Sequence, residues 1–301
     1  MPKIAYIKKR FRDTNLAQIE IANKIVEQYL AQGFDLTLRQ LYYQMVARGH
    51  IENSMRSYKN FGSLLDDARL TGMVDWNAIV DRTRNVRANS HWETPADIIN
   101  SALHSYRIDL WHNQPYRPEV WIEKDALVGV ISNACTRYDV PYFACRGYTS
   151  QSEMWAASQR MLHHAKYGQT PIILHLGDHD PSGIDMTRDI IDRLKLFVGQ
   201  EIGVERLALN WNQVEQYSPP PNPAKLTDSR ADGYVAEFGE SSWELDALDP
   251  TTISNLISTA LDSLIDQRKF AGAKERQQLD KSLLYRASNR WGEVAEFLGG
   301  E

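Results

Sequence analysis

Pro171-Ile172-Ile173-Leu174-His175-Leu176-Gly177-Asp178-His179-Asp180-Pro181-Ser182-Gly183 is the stretch from which the fold is read. Ile172, Ile173, Leu174 and Leu176 form an apolar run without polar alternation, the pattern of a strand buried on both faces. Pro181-Ser182-Gly183 then leads into a helix predicted over residues 183–196. Upstream, residues 119–122 read as a short apolar strand, 126–134 as a helix and 142–144 as a further strand. Strands alternating with helices predict an α/β fold with a parallel sheet covered on both faces.

The front of the chain follows another period. Residues 16–31 repeat apolar positions at helical spacing and stop at Gly33. Thr37-Leu38-Arg39-Gln40 has the spacing of a capping box, in which hydroxyl and amide satisfy each other's free backbone donors, so a second helix starts there and stops near Gly49. A third helix is predicted over 57–70, closed by Gly72. Its basic and aromatic residues, Arg56, Tyr58, Lys59, Phe61 and Arg69, give the front the look of a helix-turn-helix or winged-helix unit, although other small helical domains read alike.

Asn113-Gln114-Pro115-Tyr116-Arg117-Pro118 reads as a domain boundary, and 301 residues suffice for two domains, each with its own core. Beyond the sheet region come the proline-rich loop 218–223, a charged loop with Lys225, Asp228 and Arg230 that reads as solvated, the segment Trp243-Glu244-Leu245-Asp246-Ala247-Leu248, and an amphipathic helix over 252–269.

Composition narrows the class. A hydrophobic fraction of 43% with 24% charged residues is that of a folded globular chain. The first ten residues lack the apolar core of a signal peptide and no apolar run reaches membrane-spanning length, which predicts a cytoplasmic protein with no membrane partner. Cys135 and Cys145 lack the paired spacing of a zinc site and read as reduced structural thiols. The net charge of −5 is no basic footprint for nucleic acid, but residues 1–118 carry 16 Lys and Arg against 12 Asp and Glu, and residues 119–301 carry 18 against 27. A basic front with an acidic back suits DNA binding beside a carboxylate site, and it equally suits two ordinary domains.

In parallel sheets, ligands gather beyond the carboxyl ends of the strands. Glu123 ends the first strand, and Asp178 and Asp180 end the strand quoted above. Three carboxylates converging from two strand tips make the oxygen-rich site that Mg²⁺ prefers. His179, between the aspartates, faces the other way in an extended segment, and His163 and His164 diverge on a helix.

Trp121-Ile122-Glu123-Lys124-Asp125-Ala126, then Arg146-Gly147-Tyr148, then Gly177-Asp178-His179-Asp180-Pro181-Ser182-Gly183-Ile184-Asp185 resemble, in that order, the toprim domain of topoisomerase VI A subunits and of the meiotic double-strand-break protein. Arg39-Gln40-Leu41-Tyr42-Tyr43 resembles the nucleophile pattern in the winged-helix domain of the same family, with Gln40 in place of its usual acidic residue. Arg146-Gly147-Tyr148-Thr149-Ser150 likewise lacks the proline and aspartate that commonly follow the glycine-tyrosine pair. The resemblance covers about residues 36–186 and is nearest to the short stand-alone A-subunit homologues of phages and mobile elements.

That resemblance implies a winged-helix DNA-binding domain over 1–115 that carries the tyrosine, and a Rossmann-like toprim domain over 116–301 with a helical C-terminal elaboration. It implies Mg²⁺, or Mn²⁺ in its place, on Glu123, Asp178 and Asp180, with Tyr43 as nucleophile and Arg39 as phosphate clamp. It further implies double-stranded DNA as substrate, a 5′-phosphotyrosyl intermediate, and a homodimer whose tyrosine and metal come from different protomers. Nothing in the chain resembles the ATPase of the B subunit, so ATP-driven strand passage requires a separate subunit. Helix phase agrees on the tyrosine: Leu38, Leu41, Tyr42 and Met45 share one apolar face, while Tyr43 turns onto the flank of Arg39. Two further readings stay open at this point: a toprim nuclease with water as nucleophile, and a catalytically silent DNA-binding structural or regulatory protein.

Overall fold

Thr37 shows how the helical front is organised. Its Oγ accepts from the Gln40 amide at 3.3 Å and the Gln40 Oε1 accepts from the Thr37 amide at 2.9 Å, so the expected capping box is formed. The computed structural model describes residues 3–80 and 89–299. Three helices, α1 (Asp13–Ala31), α2 (Leu38–Ala47) and α3 (Met55–Leu70), make up the front, followed by α4 (Pro95–Ser105). Gly33, Gly49 and Gly72 follow the first three with φ of 82°, 72° and 73°, the left-handed geometry that a helix stop needs and glycine adopts without strain. Among the described residues of this front, β pairing is confined to the isolated bridges Ala5–Thr71 and Leu36–Ile79.

The sheet consists of β1 (Tyr116–Ile122), β2 (Tyr142–Ala144), β3 (Thr170–Leu176) and β4 (Gly203–Ala208), all parallel, in the order β2-β1-β3-β4. Between them lie α5 (Val128–Tyr138), α6 (Gln151–Lys166) and α7 (Pro181–Val198). After β4 come α8 (Trp211–Tyr217), a small antiparallel pair β5 (Asn222–Pro223) and β6 (Ser241–Ser242) flanking α9 (Ala231–Phe238), and then α10 (Pro250–Leu264), α11 (Gln267–Asn289) and α12 (Trp291–Phe297). None of the helices among the described residues is long and apolar enough to cross a membrane.

Side chains alternate across the sheet as the two-residue strand period requires. Val120, Ile122, Leu174 and Leu176 pack with Val130 and Ile131 of α5 and with Ile253 and Ile257 of α10. Trp121 and Ile173 face the opposite way, onto Met154 and Met161 of α6 and Ile190 and Leu194 of α7. Both faces of the parallel sheet are therefore covered, as the sequence predicts.

The first of these cores continues without a break into the helical front, where it includes Ile19, Ile25, Leu41, Met45, Phe61 and Leu65. Of the proline-flanked stretch read as a boundary, Tyr116, Arg117 and Pro118 begin β1, paired to Thr170, Pro171 and Ile172. Proline is tolerated there because it lies near the start of its strand. The single helix expected over 252–269 is two, α10 and α11. Gln114 pins Asp266 between them, its Oε1 accepting from the Asp266 amide at 2.7 Å and its Nε2 donating to the Asp266 carbonyl at 3.2 Å, and Asp266 then caps α11. Along α11 lies α4, joined by Tyr106 to Asp280 at 2.9 Å and by Ser288 to the Ala96 carbonyl at 3.1 Å.

Candidate functional site

Register brings the strand-end carboxylates together. Ile122 lies opposite Leu176, so residue 123 leaves β1 beside residues 177 and 178, and the Glu123 amide donates to the Leu176 carbonyl at 2.8 Å. Glu123 Oε2 accepts from the Asp178 amide at 2.8 Å. Gly177 leaves room for this approach, since a Cβ there would stand 3.1 Å from the same oxygen. Asp178 Oδ1 accepts from the Leu245 amide at 2.8 Å, and its Oδ2 pairs with Lys124 Nζ at 2.8 Å. Asp180 is the N-cap of α7, its Oδ1 accepting from the Gly183 amide at 2.6 Å and from Ser182 Oγ at 2.9 Å.

Each of the three carboxylates thus has one oxygen fixed by a backbone amide. Among the described residues, Glu123 Oε1 and Asp180 Oδ2 accept no hydrogen bond. Burial, then the neighbouring charges of Asp178 and Asp180, pushes the Glu123 carboxyl up to about 7, against the Asp178 amide and Lys124, which lower it. Asp178 is likewise raised, by burial above all, with Lys124 pulling the other way.

Arg206 of β4, which sequence reasoning missed along with its strand, ties these loops down from below. Its Nη1 donates to the Gly183 carbonyl at 2.8 Å and Thr187 Oγ at 2.7 Å, and its Nη2 to the Asp178 carbonyl at 2.5 Å. Burial lowers its pKa to about 10, with Glu123, Asp178 and Asp180 opposing the loss of charge. Gly183 completes the packing, since a Cβ there would lie 2.2 Å from the Asp178 carbonyl oxygen.

Tyr42 and Tyr43 separate as helix phase predicts, but both are buried, at 3% and 4% exposure. Tyr42 belongs to the front's core and its hydroxyl accepts from the Ser54 amide at 2.9 Å. Tyr43 shares the flank of Arg39, whose Cζ lies 6.0 Å from the Tyr43 ring centre. What covers Tyr43 is the proline-rich loop, which helix phase cannot see: Asn222 Nδ2 donates to its hydroxyl at 3.2 Å. A pocket of about 450 Å³ lined by Arg39, Tyr43, Tyr58, Asn222 and Glu244 leads to it. Burial foremost, then Glu244, raises the Tyr43 hydroxyl above its usual value near 10.

The two parts of the site are joined by a strap. Trp243 pairs with His179 through both amides, at 2.8 and 2.9 Å, and carries Glu244 and Asp246 over the strand ends. Glu244 Oε2 bonds Arg39 Nη2 and, at 2.9 Å, Lys124 Nζ. Asp246 Oδ2 lies 3.0 Å from Arg39 Nε and 3.5 Å from Lys124 Nζ, and its buried Oδ1 has no hydrogen-bond partner among the described residues. Burial would weaken the charge on Lys124, but Asp178, Asp246 and Glu244 outweigh it and raise its pKa. Arg39, assigned from sequence as a phosphate clamp, is thus engaged by two carboxylates of its own chain. Lys124, Glu244 and Asp246 were visible as charges in sequence, but only the strap's return to the sheet shows their partners.

Five carboxyl groups, Glu123, Asp178, Asp180, Glu244 and Asp246, meet three basic groups, Arg39, Lys124 and Arg206, so acids outnumber bases in this cluster. In kind, the donors suit Mg²⁺. In arrangement, no group of three or more His, Cys, Asp or Glu among the described residues is disposed to hold a metal ion, because Lys124 takes Asp178 and backbone amides take an oxygen from each ligand.

Of the remaining expectations, those for His179 and the two cysteines are met and that for Arg230 is not. His179 faces away from the aspartates into Trp211, Tyr234, Phe238 and Trp243, with Nδ1 2.8 Å from the Tyr234 hydroxyl. Cys135 and Cys145 are buried free thiols, pushed by burial up to about 12 and about 11. Arg230 is not a free solvated cation: it pairs with Asp228 at 2.7 Å and with Asp185 at 3.2 Å, beside Tyr148. Comparison with known proteins finds no family model that matches the chain and no curated protein that matches it.

Proposed function

We propose that the chain is a Mg²⁺-dependent DNA transesterase of the topoisomerase VI A-subunit type, cutting double-stranded DNA through Tyr43 as a homodimer. The observation that carries this reading is the ion-pair chain from Arg39, on the flank of Tyr43, through Glu244 to Lys124 and Asp178 at the strand ends. It links Arg39, beside the Tyr43 ring, to Lys124 and the strand-end acid Asp178 within one chain. Mg²⁺, or Mn²⁺ in its place, would be held by Glu123, Asp178 and Asp180 once Lys124 gives up Asp178, and would supply charge stabilisation to the phosphate and the leaving oxygen.

The residues have distinct tasks. Tyr43 Oη forms a bond to phosphorus as the P–O3′ bond breaks; the phenolic proton passes to water in the pocket and the leaving 3′ oxygen takes one up. Arg39 stabilises the additional negative charge on the phosphate oxygens. Asn222 orients the Tyr43 hydroxyl. Arg206 and the amides of Asp178, Gly183 and Leu245 hold the carboxylates in place. Each copy cuts one strand, so a duplex break takes two.

The test is covalent capture. Incubation with duplex DNA and Mg²⁺ or Mn²⁺, followed by denaturation, yields a protein–DNA adduct that is absent from Tyr43→Phe. The burial of Tyr43 favours one second reading, a nuclease with water as nucleophile. Undiminished cleavage by Tyr43→Phe establishes that reading and overturns the first.

A further inference from the structure

We propose that Arg39 and Lys124 together form a binding site for the oxygens of a nucleic-acid phosphodiester, and that the carboxylates of Glu244 and Asp246 occupy it in the free protein. The inference rests on the reading of Arg39 as a phosphate-binding group and adds Lys124 to it, with the strap as internal competitor.

The geometry is that of an oxyanion between two cations. Glu244 Oε2 is shared by Arg39 Nη2 and Lys124 Nζ, and Asp246 Oδ2 is shared by Arg39 Nε and Lys124 Nζ. Two oxygens, each bridging a guanidinium fork and an ammonium, reproduce what two phosphate oxygens require, since the fork matches carboxylate and phosphate alike. The cations come from separate elements, Arg39 from α2 and Lys124 from the loop after β1, so only an anion spanning both satisfies them together.

The position suits such a ligand. The Arg39 side chain is 45% exposed and Glu244 is 24% exposed, so solvent reaches this end of the pair. Asp246, at 1%, and Asp178 fix the far side. Arg39, Glu244 and the Tyr43 ring line one pocket, which places an incoming phosphate beside the Tyr43 hydroxyl. A phosphodiester entering there displaces the Glu244 carboxylate, the more exposed of the two strap anions. Glu244 therefore weakens DNA binding although it stabilises the ion-pair chain.

The experiment measures binding of a fluorescently labelled duplex to the full chain by anisotropy across a salt series. Glu244→Gln keeps the side chain's size and removes its charge. It is expected to bind roughly tenfold more tightly than the parent, with a log-affinity against log-salt slope steeper by about 1 for each cation released to phosphate. Adding Lys124→Ala or Arg39→Ala to Glu244→Gln removes the gain. Glu244→Ala and Asp246→Asn, with thermal melts to verify folding, give independent routes to the same release. Unchanged or weaker binding in every folded strap variant overturns the proposal, as does a gain that survives loss of Lys124. A binding gain without any Tyr43 adduct defeats the transesterase reading and leaves the oxyanion site standing; an adduct without a gain does the reverse.

Discussion

Replacing Arg206 by methionine tests whether the carboxylate loops are held from beneath. The guanidinium gives up hydrogen bonds to Asp178, Gly183 and Thr187 at 2.5 to 2.8 Å. Hydrogen bonds from charged groups contribute about 1.5–3 kcal/mol each, while release from burying the charge returns several kcal/mol, so the net loss is about 3 kcal/mol and falls mainly on the orphaned Asp178 carbonyl. A second contribution depends on pH. Glu123 holds its proton more tightly folded than unfolded, its pKa raised from 4.5 to about 7, so stability falls as pH rises through that window. Arg206 and Glu123 attract one another, so loss of the guanidinium raises Glu123 further, and each unit of such a rise would add about 1.4 kcal/mol above the window. Urea unfolding followed by tryptophan fluorescence should therefore show a loss of about 3 kcal/mol at pH 5 and about 4 kcal/mol at pH 8. A loss below about 1 kcal/mol at both pH values, or a larger loss at pH 5, refutes the reasoning.

His179 provides an acid-side prediction: burial depresses it to about 4, and His175 to about 3, so the unfolded chain takes up protons below pH 6.5 that the fold refuses. The histidines' contribution to stability is complete above that pH and declines as pH falls toward 4; His179→Phe should remove about 1.4 kcal/mol per pH unit of that decline, and an unchanged slope sinks the assignment. Gly183→Ala forces the Asp178 carbonyl aside and should cost at least about 2 kcal/mol in thermal unfolding; a loss under about 0.5 kcal/mol means the close approach relaxes freely.

Local signals in sequence marked much of the architecture. The capping box at Thr37, the glycine stops and the apolar run of β3 each act within a few residues, so each is written where it acts. The register that sets Glu123 beside Asp178 followed from both lying at strand ends. Less legible were contacts closed by distant chain. Arg206 drew no reading because β4 was not recognised, and the cover over Tyr43 was not foreseen because the loop that supplies it lies 179 residues away. The strap carried its acids in plain sight in Trp243-Glu244-Leu245-Asp246, but charge alone names no partner. The break between α10 and α11 depends on Gln114, 152 residues from Asp266, and no helical period encodes it.

The strap also sets a timetable for assembly. Arg39 and Glu244 are separated by 205 positions, and at about 5–20 residues per second of synthesis the arginine waits roughly 10–40 s for its carboxylate. During that interval the newborn helical front presents an unpaired guanidinium and a tyrosine without its cover. The pocket, walled in part by Asn222 and Glu244, is completed only when the later half of the chain returns to the front.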